Sequence, residues 1–81
     1  MKEKKIRLTT ILEAKEFVVA AMKCDFKVDI CCNRLTIDAK SILGVLSLDL
    51  TRELTVRLHG EDEVFEAYCD KLAPGAADRI A

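Results

Sequence analysis

Ser41 stands directly ahead of Ile42-Leu43-Gly44-Val45-Leu46, where a serine hydroxyl accepts a hydrogen bond from the first turn of a helix and fixes its start. Thr10-Ile11-Leu12-Glu13 has the spacing of a capping box, in which the Thr10 hydroxyl and the Glu13 carboxylate take up backbone N–H groups at the opening of a longer helix. The second pattern has an electrostatic consequence. A bare helix N-terminus attracts anions, whereas Glu13 sets a fixed negative charge at that spot and repels a second one. The one histidine, His59, adjoins Gly60 and reads as a turn residue. Cys24, Cys31, Cys32 and Cys69 form no Cys-x-x-Cys pair, and vicinal Cys31-Cys32 within a strand cannot turn two thiolates toward one metal. They read as reduced core thiols, and no metal or cofactor is expected.

The elements that must position these residues follow from hydrophobic spacing. Residues 4 to 8 alternate and put Ile6 and Leu8 on one face, and from Thr10 to Met22 the residues Ile11, Ala14, Val18, Ala21 and Met22 recur at helical spacing. Residues 27 to 32 alternate again, with Val28, Ile30 and Cys32 on one side. Asn33-Arg34 separates them from residues 35 to 38, a tight-hairpin pattern without the glycine that would fix one turn type. Ser41 to Leu48 predicts a short helix limited by Gly44 and Asp49. Residues 53 to 59 bury Leu54, Val56 and Leu58 while Thr55 and Arg57 face out, and Gly60 turns the chain. An acidic turn then leads into Phe65, Tyr68, Cys69 and Leu72 on one helical stripe, stopped by Pro74-Gly75. The order β-α-β-β-α-β-α describes an α+β domain whose helices pack on one side of a four-stranded antiparallel sheet.

At 81 residues, 51% of them hydrophobic, the chain has material for one core, so a single domain over 1–81 is expected, with its core from about 4 to 72 and a C-terminal tail over 73–81. Thirteen basic against fourteen acidic residues give a net charge of -1 and no field for nucleic acid; the basic cluster Lys2, Lys4, Lys5 and Arg7 is interrupted by Glu3 and lacks aromatics. The longest apolar stretch, Phe17 to Met22, is too short to insert across a membrane, and no signal-type hydrophobic region opens the sequence, which points to the cytoplasm.

Lys40-Ser41-Ile42-Leu43-Gly44-Val45-Leu46-Ser47-Leu48 resembles the regulatory-serine motif Lys-Ser-Ile-Met-Gly-Val-Met-Ser-Leu of HPr, the phosphocarrier family of the bacterial sugar phosphotransferase system. With Ser41 set on that serine, Phe17 through Leu48 align without a gap, and Gly60-Glu61-Asp62-Glu63 falls where the family has Gly-x-Asp-Glu. The resemblance covers about residues 4 to 72 and implies the HPr-like open-faced β-sandwich, with three helices on one face of the sheet. It departs at the start of the first helix. The family carries Gly-Leu-His-x-Arg-Pro there, and the imidazole takes the phosphoryl group. Leu8-Thr9-Thr10-Ile11-Leu12-Glu13 has no histidine, arginine or proline, so the resemblance makes Thr9, Thr10 and Glu13 a degenerate former phosphohistidine site. In the family's topology His59 falls at the opposite end of the sheet and cannot stand in.

The resemblance further implies that Ser41 is phosphorylated by an ATP-dependent serine kinase, as in Gram-positive relatives, with Lys40 as a positive rim beside the phosphate. It makes Ile42, Leu43 and Leu46 an exposed patch for enzymes of the phosphotransferase system or, once Ser41 is phosphorylated, a transcriptional regulator. A serine kept where the histidine is lost is similar to the catabolite-repression HPr-like proteins. The leading expectation is a regulatory protein-protein interaction module of the phosphotransferase system or carbon catabolite repression, not an enzyme. The alternative is a degenerate phosphocarrier that accepts or relays phosphate on a non-standard residue or with a partner chain. A third is a scaffold or oligomer piece, hinted at by exposed strand edges, and the sequence leaves the oligomeric state open.

Overall fold

β1 (Lys2–Ile6), α1 (Ile11–Met22), β2 (Val28–Cys32), β3 (Leu35–Asp38), α2 (Ile42–Leu46), β4 (Leu54–Leu58) and α3 (Glu63–Lys71) follow one another in the computed structural model, which describes residues 2–74. Residues 75–81 of the expected tail lie outside the described residues. The strands form one antiparallel sheet in the order β1-β4-β2-β3. Registers such as Ile6↔Leu54, Ile30↔Val56 and Val28↔Leu58 bring Ile6, Val28, Ile30, Cys32, Leu54, Val56 and Leu58 onto one face, all buried beneath the helices. Alternation leaves Glu3, Lys5, Thr55, Arg57 and Thr36 on the other face, where Arg57 pairs with Glu3 and Lys5 donates to the Thr55 hydroxyl.

β1 begins two residues earlier than the sequence pattern indicates. Its partner sets its span, because Lys2 to Ile6 match the full length of β4, and after Ile6 the chain leaves the sheet as the Arg7 N–H donates to the Leu72 carbonyl. Leu8 is buried beyond the strand. The hairpin joining β2 to β3 closes on Asn33-Arg34, and Asn33 takes the left-handed conformation, φ 56°, that asparagine tolerates.

The buried stripe of α1 is Ala14, Phe17, Val18 and Ala21, whereas Ile11 and Met22, assigned to it from their spacing, are exposed. The helix is apolar nearly all round, and the bulk of Phe17 decides which side meets the sheet: its ring lies 5.8 Å from that of Phe65 on α3. α3 is capped by the Asp62 carboxylate, which accepts from the Phe65 N–H, and is tied to β1 by Lys2–Glu66 and Lys4–Asp70 ion pairs. Glycine is required at position 44 by a close approach: a Cβ there would lie 2.5 Å from Cγ2 of Ile37, so α2 sits directly on β3.

Burial pushes both the Tyr68 phenol and the Cys69 thiol up to about 12, from ordinary values of 10.0 and 9.0. The unfolded chain therefore loses these protons at lower pH than the folded one, so their contribution to stability is intact below pH 9 and is lost as pH rises toward about 12. The expected result is a urea midpoint that falls steadily over that range, with the tyrosinate absorbance of the single tyrosine appearing together with unfolding; a phenol titrating near 10 in the native protein would contradict it.

Candidate functional site

Two helix starts hold the hydroxyls that could do chemistry, and they differ in how far they are already occupied. At the start of α1, Thr10 is extended and its hydroxyl accepts from the Glu13 N–H at 3.0 Å. Oε1 of Glu13 accepts from both the N–H and the hydroxyl of Thr9, each at 2.8 Å. The carboxylate thus reaches one residue further back than a standard capping box and lies across the entry to the helix. Thr9, Thr10 and Glu13 are brought together by hydrogen bonds, with the negative charge at the positive end of the dipole. Among the described residues, Arg7 donates to the Thr51 carbonyl at 3.0 Å and Arg52 pairs with Asp49 at 3.2 Å. No histidine stands at this end.

Replacing Thr10 by alanine removes the cap and is expected to cost about 1 kcal/mol, or roughly 4–8 °C in Tm for a domain of this size. A thermal melt followed by circular dichroism checks this, and a Tm within a degree or so of wild type would show that the cap does not hold α1.

At the start of α2, Ser41 is exposed and extended, and its hydroxyl accepts from the Gly44 N–H at 3.2 Å. The chain reaches it through a turn in which Oδ1 of Asp38 accepts from the Lys40 N–H and the Asp38 carbonyl accepts from the Ser41 N–H. Lys40, expected as a positive rim beside a phosphate on Ser41, is half-buried. Its ammonium donates to the Cys24 carbonyl at 2.8 Å, satisfying a backbone acceptor left over just past the end of α1 and fastening the two helices together there. Of the apolar residues on α2, at least one is expected to stand in solvent, and Leu43 does. Leu43 is 80% exposed, but Ile42 and Leu46 are half-buried against the core and Val45 is fully buried, because α2 lies close on β3 and against α1.

His59 lies at the far end of the sheet, beside Lys2, whereas α1 starts beyond the Ile6 end of β1. Its Nε2 is 3.0 Å from Oδ2 of Asp29, the buried acidic residue of β2, so the imidazole satisfies a carboxylate that is only 7% exposed. Burial, ahead of the nearby Asp62 carboxylate, raises the pKa of Cys24. Cys24, Cys32 and Cys69 are buried and Cys31 is half-buried, and among the described residues no group of three or more His, Cys, Asp or Glu could hold a metal ion. No described helix is long and apolar enough to cross a membrane. The reach of Lys40 to Cys24 left no trace in the sequence, since its partner is a backbone carbonyl 16 residues away.

Comparison with known proteins places these features in a family. Residues 12–74 match the PTS-HPr family model, described as "PTS HPr component phosphorylation site". Among solved structures, the crystal structure of HPr-C-His from Thermoanaerobacter tengcongensis is similar, with a TM-score of 0.75 and 26% sequence identity over 89% of this chain and 91% of that chain. A search of curated proteins finds no match.

Proposed function

The chain belongs to the PTS HPr family, and from that premise we propose that it serves the phosphotransferase system or carbon catabolite control as a regulatory protein-interaction module, without histidine phosphocarrier activity and switched by phosphorylation of Ser41. The observation that carries this reading is the first turn of α1, where Glu13 and Thr10 occupy the helix start and no imidazole is present to accept a phosphoryl group. The single histidine of the chain is engaged with Asp29 at the other end of the sheet.

Ser41 is exposed at a helix start, so a phosphate there adds about two negative charges and three acceptor oxygens at a point where helix N–H groups favour them. The partners this reading implies are enzymes of the phosphotransferase system, a serine kinase and a transcriptional regulator. Their contact is Leu43 with the adjoining parts of Ile42 and Leu46, and the phosphate supplies the ligand for a partner's arginines. Lys40 acts by holding α2 against the end of α1.

Mass spectrometry after incubation with two phosphate donors tests the proposal. With a serine kinase and ATP the protein is expected to gain one acid-stable phosphate on Ser41; with the phosphotransferase enzymes and phosphoenolpyruvate it is expected to gain none. An acid-labile phosphate from the second donor would overturn the reading in favour of a degenerate phosphocarrier.

A further inference from the structure

The outward side of α1 carries a pattern that neither the fold nor the proposed function uses. Glu16, Val19 and Lys23 stand three and four residues apart and share one helical stripe. Val19 is 54% exposed, and among the described residues the side chains of Glu16 and Lys23 have no ion-pair or hydrogen-bond partner. Beside the stripe runs a groove between α1 and α3 with Ala20, Phe65, Tyr68 and Val64 along it, and Val64 is 81% exposed. Two large β-branched residues left in water on adjacent helices are a surface that gains from being covered.

Charge decides what covers it. The depressions along this side are lined by Lys15 and Lys23 against Glu16 and Asp62, two of each sign. A partner segment of one sign would satisfy half of them and be repelled by the rest. A second copy of the same surface, turned end for end, has no such conflict. Glu16 and Lys23 are about 10 Å apart along the helix axis, with Val19 near the midpoint. A two-fold axis beside Val19 therefore sets Glu16 of one copy against Lys23 of the other, twice over, while Val19 and Val64 of the two copies close on each other. We propose that this face of α1 and α3 is a self-complementary homodimer interface, with the two α1 helices packed antiparallel. No residue of α2 lines the groove, so Ser41 and Leu43 stay open to other partners in the dimer.

Analytical ultracentrifugation of the full chain from roughly 1 µM to 1 mM, the range in which a small interface associates, provides the test. The wild-type chain is expected to pass from monomer to dimer across that range. Glu16→Lys or Lys23→Glu alone sets like charges against each other at both symmetric contacts and is expected to weaken the dimer at least tenfold. The double variant Glu16→Lys/Lys23→Glu restores complementarity and dimerisation, and a mixture of the two single variants forms the heterodimer. All of these positions are exposed, so circular dichroism should be unchanged throughout. A chain that stays monomeric at every concentration, a dimer indifferent to the single reversals, or a double variant that fails to recover would each overturn the proposal.

Discussion

Truncating Phe17 to alanine is expected to lower the unfolding free energy by about 3–5 kcal/mol. Phe17 is the largest fully buried side chain, and its ring meets that of Phe65, so it joins α1 to α3 over the sheet. A domain of this length has roughly 4–12 kcal/mol in total, so the variant should be partly unfolded at ambient temperature or close to it. The urea midpoint should fall with little change in slope, because the surface exposed on unfolding barely alters. The consequence extends to function, since α1 carries Thr10 and Glu13 at one end and leads, at the other, to the Cys24 carbonyl that receives Lys40. Phe17→Leu should cost much less. A loss below about 1 kcal/mol for Phe17→Ala would mean that Phe65 and the sheet hold α1 without it.

Leu43→Asp is expected to have the opposite profile, with stability within about 0.5 kcal/mol of wild type and a large loss of partner binding. Leu43 is mostly solvent-exposed and makes no essential core contact, so its removal leaves α2 in place. An apolar residue standing out from a rigid helix is the kind of group that anchors an interface, and putting a charge there should weaken the complex with a phosphotransferase enzyme or regulator by roughly 30-fold or more. Val45→Asp serves as the contrast, because Val45 is fully buried and its replacement should unfold the protein. Calorimetric titration of Leu43→Asp against the partner reads the effect directly. Unchanged affinity with intact folding would move the docking surface away from α2.

Much of the fold was legible where polarity and period agree. β4 reads Leu-Thr-Val-Arg-Leu, strict alternation with one apolar face, and its bounds fall within a residue of the pattern. Asp62 and the acidic turn behind it likewise mark the start of α3. α1 was harder because Ile11, Leu12, Val19 and Met22 are as apolar as the residues that face the sheet, and periodicity cannot choose between two apolar sides. That ambiguity has a physical source: part of the outer surface of α1 is suited to contacts that the isolated chain does not contain. At the site, the cap at Thr10 and the serine at the opening of α2 are local patterns and were readable. The reach of Glu13 back to Thr9 and of Lys40 to Cys24 depends on how the chain bends, and no spacing rule encodes it.

The central claim is that the protein's own carboxylate occupies the spot at the head of α1 where a phosphoryl group would otherwise be held. Titrating the protein with inorganic phosphate while following the backbone amide signals of Thr9 to Glu13 by NMR tests it most directly. Shifts that remain small and non-saturating are expected in the wild-type chain. A saturable shift centred on those amides, with Glu13 still ionised, would show an open anion site there and contradict the account.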